Sequence, residues 1–172
     1  LKEPNISEKY WRAVYVNSRA EKKVAEALRL KHINSYVPLA KSMRQWSDRK
    51  KMVELPLLNG YVFVHINEKE KEDVLQTKGV VSYVRSDGRI ATIKQLEIDR
   101  LKQLVELGYQ LEAGPINRDY KGGDKVKINS GALKGIEGYV IDAQDGKQIE
   151  VLLESIGQCI RVRVPVAILV NG

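Results

Sequence analysis

The sequence predicts an α+β chain: an antiparallel sheet carrying helices, followed by a small SH3-like β-barrel. Three observations predict it. Up to Leu107, amphipathic segments with helix-start signals alternate with short strand-like runs. Within that part, Tyr61 to Ile66 is a continuous apolar run rich in Val, Tyr and Phe, the pattern of a strand buried on both faces. From Lys121 the texture changes to short strands divided by glycines, the spacing of a small barrel.

Taken in order, Leu1 to Lys9 is polar. Trp11 to Val16 alternates, with Trp11, Ala13 and Tyr15 on one face and Arg12, Val14 and Val16 on the other. Ser18 and Glu21 have capping-box spacing, and the helix they open runs to about Lys31 on Ala20, Val24, Ala27 and Leu28. A second strand spans Asn34 to Trp46, with Pro38 marking an edge or bulge. Residues 45–51, Q-W-S-D-R-K-K, read as a basic hairpin tip, and the return strand leads into 55–66. There a Pro and an Asn-Gly pair set Leu57, Leu58, Asn59 and Gly60 at the strand's entry. Asn67 to Glu70 is a cap-like start for a short helix with Val74 and Leu75 inward, ended by Gly79. A strand over Val80–Arg85, an Asp87-Gly88 turn and a helix to Leu107 on Ile98, Leu101, Leu104 and Val105 complete a β-α-β-β-β-α-β-α order. Tyr109 to Tyr120 has no apolar period and reads as a linker between a domain over 1–108 and a barrel over 121–172.

Charge and composition narrow the function. The net charge is +7, and residues 121–172 hold seven Lys/Arg against six Asp/Glu, so +6 lies in the first 120 residues. A polyanion would therefore be met by the N-terminal part. Cys159 is the only cysteine and no secretory-type leader is visible, so a reducing cytoplasm is expected, and no run has transmembrane length. His32 and His65 have no metal-ligand spacing to other donors, and phosphate loops and nucleophile elbows are missing. No catalytic residue, metal or cofactor is assigned.

Two segments carry a resemblance. W-R-A-V-Y-V with the helix after it, together with N-G-Y-V-F-V, resembles the N-terminal domain of the NusG/RfaH family of transcription elongation factors. G-D-K-V-K-I-N-S-G-A-L-K-G-I-E-G-Y-V resembles their KOW motif. The resemblance implies a domain that rides on the clamp helices of the largest RNA polymerase subunit, near upstream and non-template DNA. It also implies a barrel that recruits a termination factor or a ribosomal protein. The implied polymerase contacts are Tyr15, Leu58, Asn59, Tyr61 and Phe63. Leu58-Asn59-Gly60-Tyr61 replaces the family's common Phe-Pro-Gly-Tyr, Tyr15 matches the specialised paralogues, and Ile156 stands where the housekeeping barrel presents an aromatic to its partner. These departures point to an operon-targeted antiterminator rather than a general housekeeping factor.

Each site has a plainer reading beside it. Tyr15, Tyr61 and Phe63 could be core, with Leu58 and Asn59 forming a rim only if the sheet's second face docks a partner. Arg44, Arg49, Lys50 and Lys51 form a basic patch fit for DNA phosphates or simply for solvent, with Trp46 stacking on a base or pinning the hairpin. Lys22, Lys23 and Lys78 lie at helix ends that, by the resemblance, face the non-template strand. Cys159 is expected in the core. A KOW-containing ribonucleoprotein component is the alternative of another class, disfavoured by the near-neutral barrel.

Overall fold

A computed structural model of the chain describes residues 7–116, 123–143, 146–164 and 169–171. In chain order the elements are β1 (Tyr10–Val16), α1 (Glu21–Leu30), β2 (Asn34–Tyr36), β3 (Leu39–Gln45), β4 (Lys50–Pro56), β5 (Tyr61–Ile66), α2 (Lys71–Leu75) and β6 (Val80–Tyr83). They continue with β7 (Arg85–Ser86), β8 (Arg89–Ile90), α3 (Gln95–Glu106), β9 (Leu111–Pro115), β10 (Lys125–Ile128), β11 (Glu137–Ala143), β12 (Gly146–Leu153), β13 (Gln158–Val164) and β14 (Leu169–Asn171). Two compact units result: Leu1–Val37 with Leu58–Gln95, and Pro38–Leu57 with Leu96–Gly172.

The first unit is built on a four-stranded sheet of order β2-β5-β1-β6. β5 pairs antiparallel with β1, setting Val14 opposite Val62, Ala13 opposite Phe63 and Tyr15 opposite Tyr61. The strand period of two then separates the faces as expected. Val14, Val16, Val62, Val64 and Ile66 join Val24 and Leu28 of α1 and Val74 of α2 in one buried cluster. Complete burial of a side chain such as Leu28 contributes about 1.5–3 kcal/mol. Beside this cluster the buried Arg12 donates from Nη1 to the Ile90 carbonyl at 3.2 Å and to the Thr92 hydroxyl at 2.6 Å, anchoring the chain beyond β8.

Several local expectations are corrected. Ser18 does not cap α1, because Arg19 adopts φ +62 and the helix opens from Ala20 with no side-chain cap. Glu21 instead turns inward to a different partner. Asn67 closes a reciprocal turn just ahead of α2, its Oδ1 accepting from the Lys69 and Glu70 amides at 2.9 and 3.1 Å and Glu70 accepting in return from the Asn67 amide, while α2 itself opens from Glu70 with no side-chain cap. Leu75, expected inward, is 39 % exposed, since a five-residue helix buries one residue, Val74. The long second strand divides at Val37-Pro38 into β2, which joins this sheet, and β3, which does not.

In the second unit, β3 and β4 pair as a two-stranded ribbon from Leu39↔Pro56 to Gln45↔Lys50. A six-stranded antiparallel sheet follows, of order β14-β10-β11-β12-β13-β9. Its first member in sequence corrects the linker reading: residues 111–115 form β9 and pair with β13 from Val162↔Leu111 to Gln158↔Pro115. Backbone pairing at a sheet edge needs no apolar period, so the sequence hid it. Residues 117–120 of that stretch, and residues 165–168, lie outside the described residues. The segment Ile149–Ser155 is strand through Leu153 and then enters a 3-10 turn over Glu154–Ile156.

α3 buries Ile98, Leu101 and Leu104 and ties its polar side to this sheet's turns. Glu97 accepts from the Ser155 amide at 3.1 Å and from the Ser155 hydroxyl, Arg100 pairs with Glu137 at 3.3 Å, and Gln103 donates to the Ala132 carbonyl at 3.0 Å. Cys159, fully buried as expected, donates from Sγ to Glu150 Oε1 at 2.9 Å, and Arg161 Nη2 pairs with the same oxygen at 3.2 Å. Burial first, and the Glu150 carboxylate second, push the thiol up to about 12. Iodoacetamide is therefore expected to leave Cys159 unmodified at pH 8 in the folded chain and to alkylate it in urea; equal labelling rates would contradict the buried placement.

Candidate functional site

The sheet face of the first unit that turns away from the valine cluster carries three aromatic contacts. Trp11 stacks on His65 with centroids 5.0 Å apart, Tyr36 and Phe63 meet at 6.2 Å, and Tyr15 and Tyr61 meet at 5.1 Å with a 57° interplanar angle. Ala13 lies in the middle, opposite Phe63, and its small side chain leaves room for the rings. The face grades from closed to open. Trp11, Ala13 and Phe63 are buried, Tyr61 is partly exposed, and Tyr15 is 40 % exposed beside the exposed Ser82 of β6.

A turn over residues 58–61 sets the open end. The Tyr61 amide donates to the Leu58 carbonyl at 3.3 Å, and Gly60 takes φ +79, the left-handed conformation glycine permits. Gly60 is held on both sides. Its carbonyl accepts from the Val16 amide at 2.9 Å, and its amide donates to Glu21 Oε1 at 2.7 Å. Glu21 is itself only 3 % exposed. It positions the turn, and sequence reading had spent it on a helix cap.

Tyr15, Tyr61 and Phe63 are thus brought together on one face, with Asn59 exposed in the adjoining turn. Leu58 departs from expectation. It is 2 % exposed, so it is a buried support of the turn and not its rim. Alternation puts Trp11 on this face, but its stacking on His65 and the meeting of Tyr36 with Phe63 are not legible from the sequence. Both contacts depend on cross-strand register, which alternation within one strand does not supply.

The basic residues fall into two groups. Lys22 and Lys23 are exposed in the first turn of α1, and exposed Lys78 precedes Gly79, whose carbonyl accepts from the Asn17 amide at 2.8 Å. All three therefore lie at the end of the first sheet that Tyr15 approaches. Arg44, Arg49, Lys50 and Lys51 are exposed on the β3–β4 ribbon, where Arg44 stands directly opposite Lys51. In the other unit Ile156 is 8 % exposed. Ser155, clasped by Glu97, precedes it, and Gly157 at φ +66 turns the chain away, so the side chain is held inward rather than presented.

Among the described residues no group of three or more His, Cys, Asp or Glu is placed to hold a metal ion. Among the same residues no helix is long and apolar enough to cross a membrane.

No curated protein sequence matches the chain significantly. Among solved structures, the one described as the domain interaction in Thermotoga maritima NusG is 24 % identical, covers 95 % of this chain and 97 % of its own, and superposes with a TM-score of 0.55. Two conformations of an MjSpt4:Spt5 complex are 20 % identical over 94 % of this chain and 97 % and 95 % of theirs, with TM-scores of 0.32. The family model described as transcription termination factor nusG matches residues 9–102, which is 94 of the 172 residues and spans the whole aromatic face. On that match, the chain belongs to the NusG family of transcription factors.

Proposed function

We propose that this factor acts on elongating RNA polymerase as an operon-specific antiterminator, seated on the clamp helices of the largest subunit by the open end of its aromatic face. The observation that carries the reading is Tyr15, 40 % exposed against Tyr61 at the open end of the sheet face that turns away from the valine cluster. An aromatic ring held by a second ring offers apolar area at little entropic cost, the usual character of a binding anchor. Lys22, Lys23 and Lys78, at the same end, supply positive charge for the non-template strand, and the ribbon cations supply it for upstream DNA. The action is mechanical and electrostatic and is exerted in the cytoplasm.

Specialised rather than general action is supported by the Asn59-Gly60 turn in place of the family's proline, and by Ile156. An aliphatic side chain held inward is poorly suited to the partner contact of a housekeeping barrel. A ribosomal protein reached through another part of the barrel fits this reading; a termination factor does not.

The test is Tyr15→Ala. With the ring 40 % exposed, little stability is at stake, while affinity for polymerase is expected to fall at least about tenfold. A pull-down with unchanged recovery and an unchanged melting curve would overturn the docking assignment. Mapping of the tagged protein along the genome checks the specialist reading, with occupancy expected at a few operons and not across most genes.

A further inference from the structure

Contact with duplex phosphates would account for the charge of the β3–β4 ribbon but not for its apolar groups. Trp46, at the tip, is 57 % exposed, and Met43 and Met52 are 57 % and 51 % exposed while standing directly opposite each other. The Trp46 amide donates to the Arg49 carbonyl at 2.8 Å, so the ladder continues one step past Gln45↔Lys50. By strand alternation Trp46 and Arg49 then share a face with the Arg44–Lys51 pair. An indole is thus set among three cations, and the methionine pair is flanked on the other face by Lys50 and Lys41. Residues 41–54 hold five Lys/Arg against Asp48 and Glu54.

This arrangement is costly in the absence of a ligand. Like charges directly opposed destabilise a strand pair, and an isolated two-stranded ribbon has little stability to spare. An unpaired nucleic-acid strand removes both problems. Its phosphates neutralise the cations, and its bases offer flat faces to the indole, which a duplex keeps stacked inside.

We propose that the β3–β4 ribbon binds unpaired nucleic acid, with a base stacked on Trp46 and the flanking phosphates held by Arg44, Arg49 and Lys51. The proposal deepens the reading of the ribbon as a DNA contact and rests on it. Base identity is not selected, since every base presents a π face and the ribbon tip has few groups for edge recognition.

The experiment uses the full chain with a fluorescent deoxythymidine oligonucleotide and a blunt duplex of the same length, at several salt concentrations. Trp46→Ala is expected to weaken binding of the single strand about 5- to 150-fold and leave the duplex nearly unaffected, whereas Trp46→Phe keeps most of the affinity. Quenching of tryptophan fluorescence by the oligonucleotide should disappear in Trp46→Phe, because Trp11 is buried. Equal losses for single strand and duplex, or no loss at all, would overturn stacking. If Lys50→Glu with Lys51→Glu weakens both ligands but Trp46→Ala weakens neither, the ribbon grips phosphates only and the proposal alone fails. If the charge reversals also change nothing, the reading of the ribbon as a nucleic-acid contact fails with it. Quenching by anionic phospholipid vesicles, with none by the oligonucleotide, would overturn both in favour of a lipid surface.

Discussion

Gly138→Val is expected to destabilise the second unit by more than about 3 kcal/mol, beyond the usual range for an overpacked core. A Cβ built on Gly138 would lie 2.3 Å from Ile149 Cγ2 and 2.7 Å from the Glu150 carbonyl oxygen. The first neighbour is a fully buried side chain, and the second is main chain in β12, paired with both β11 and β13. Neither can yield without moving the middle of the six-stranded sheet. Gly131→Ala is the matched control. There φ is +74 with nothing within 4 Å of the new methyl group, so the cost is confined to left-handed strain, about 1–2 kcal/mol. Urea denaturation followed by circular dichroism separates the two. A Gly138→Val midpoint equal to that of Gly131→Ala would show that the sheet has room for a side chain beside Ile149.

The same contrast between side-chain pattern and backbone placement marks what could be read from the sequence. Alternation in Trp11–Val16 assigned both faces of β1 correctly, because successive side chains of a strand point to opposite faces even where, as over Trp11–Val14, both faces are buried. It could not say which rings meet, since Trp11–His65 and Tyr36–Phe63 depend on register between strands distant in sequence. The two cap signals fared differently for a local reason. Asn67 leads directly into its turn, whereas Arg19 at φ +62 stands between Ser18 and α1. Leu58 and Ile156 sit in turns, where no periodicity marks inside from outside, and both proved buried. β9 escaped because its Gly114-Pro115 reads as a breaker, while the strand is held by pairing with β13 rather than by its side chains.

Glu21 shows what such a miss can conceal, and Glu21→Ala is expected to cost about 1–3 kcal/mol. Alanine is the best helix former, so α1 itself gains rather than suffers. The loss comes from the Gly60 amide, which donates to the Glu21 carboxylate at 2.7 Å and would be left without that acceptor. Gly60 is also where the chain takes φ +79 before delivering Tyr61 beneath Tyr15, so a released turn would blur the open end of the aromatic face. Binding to polymerase should therefore fall together with stability, whereas Tyr15→Ala should lower binding alone. Glu21→Gln keeps an acceptor oxygen on a side chain of the same shape and is expected to recover most of both. Paired urea titrations and polymerase pull-downs on the three variants decide the point. Equal behaviour of the alanine and glutamine variants would show that the helix start, and not the bond to Gly60, is what Glu21 serves.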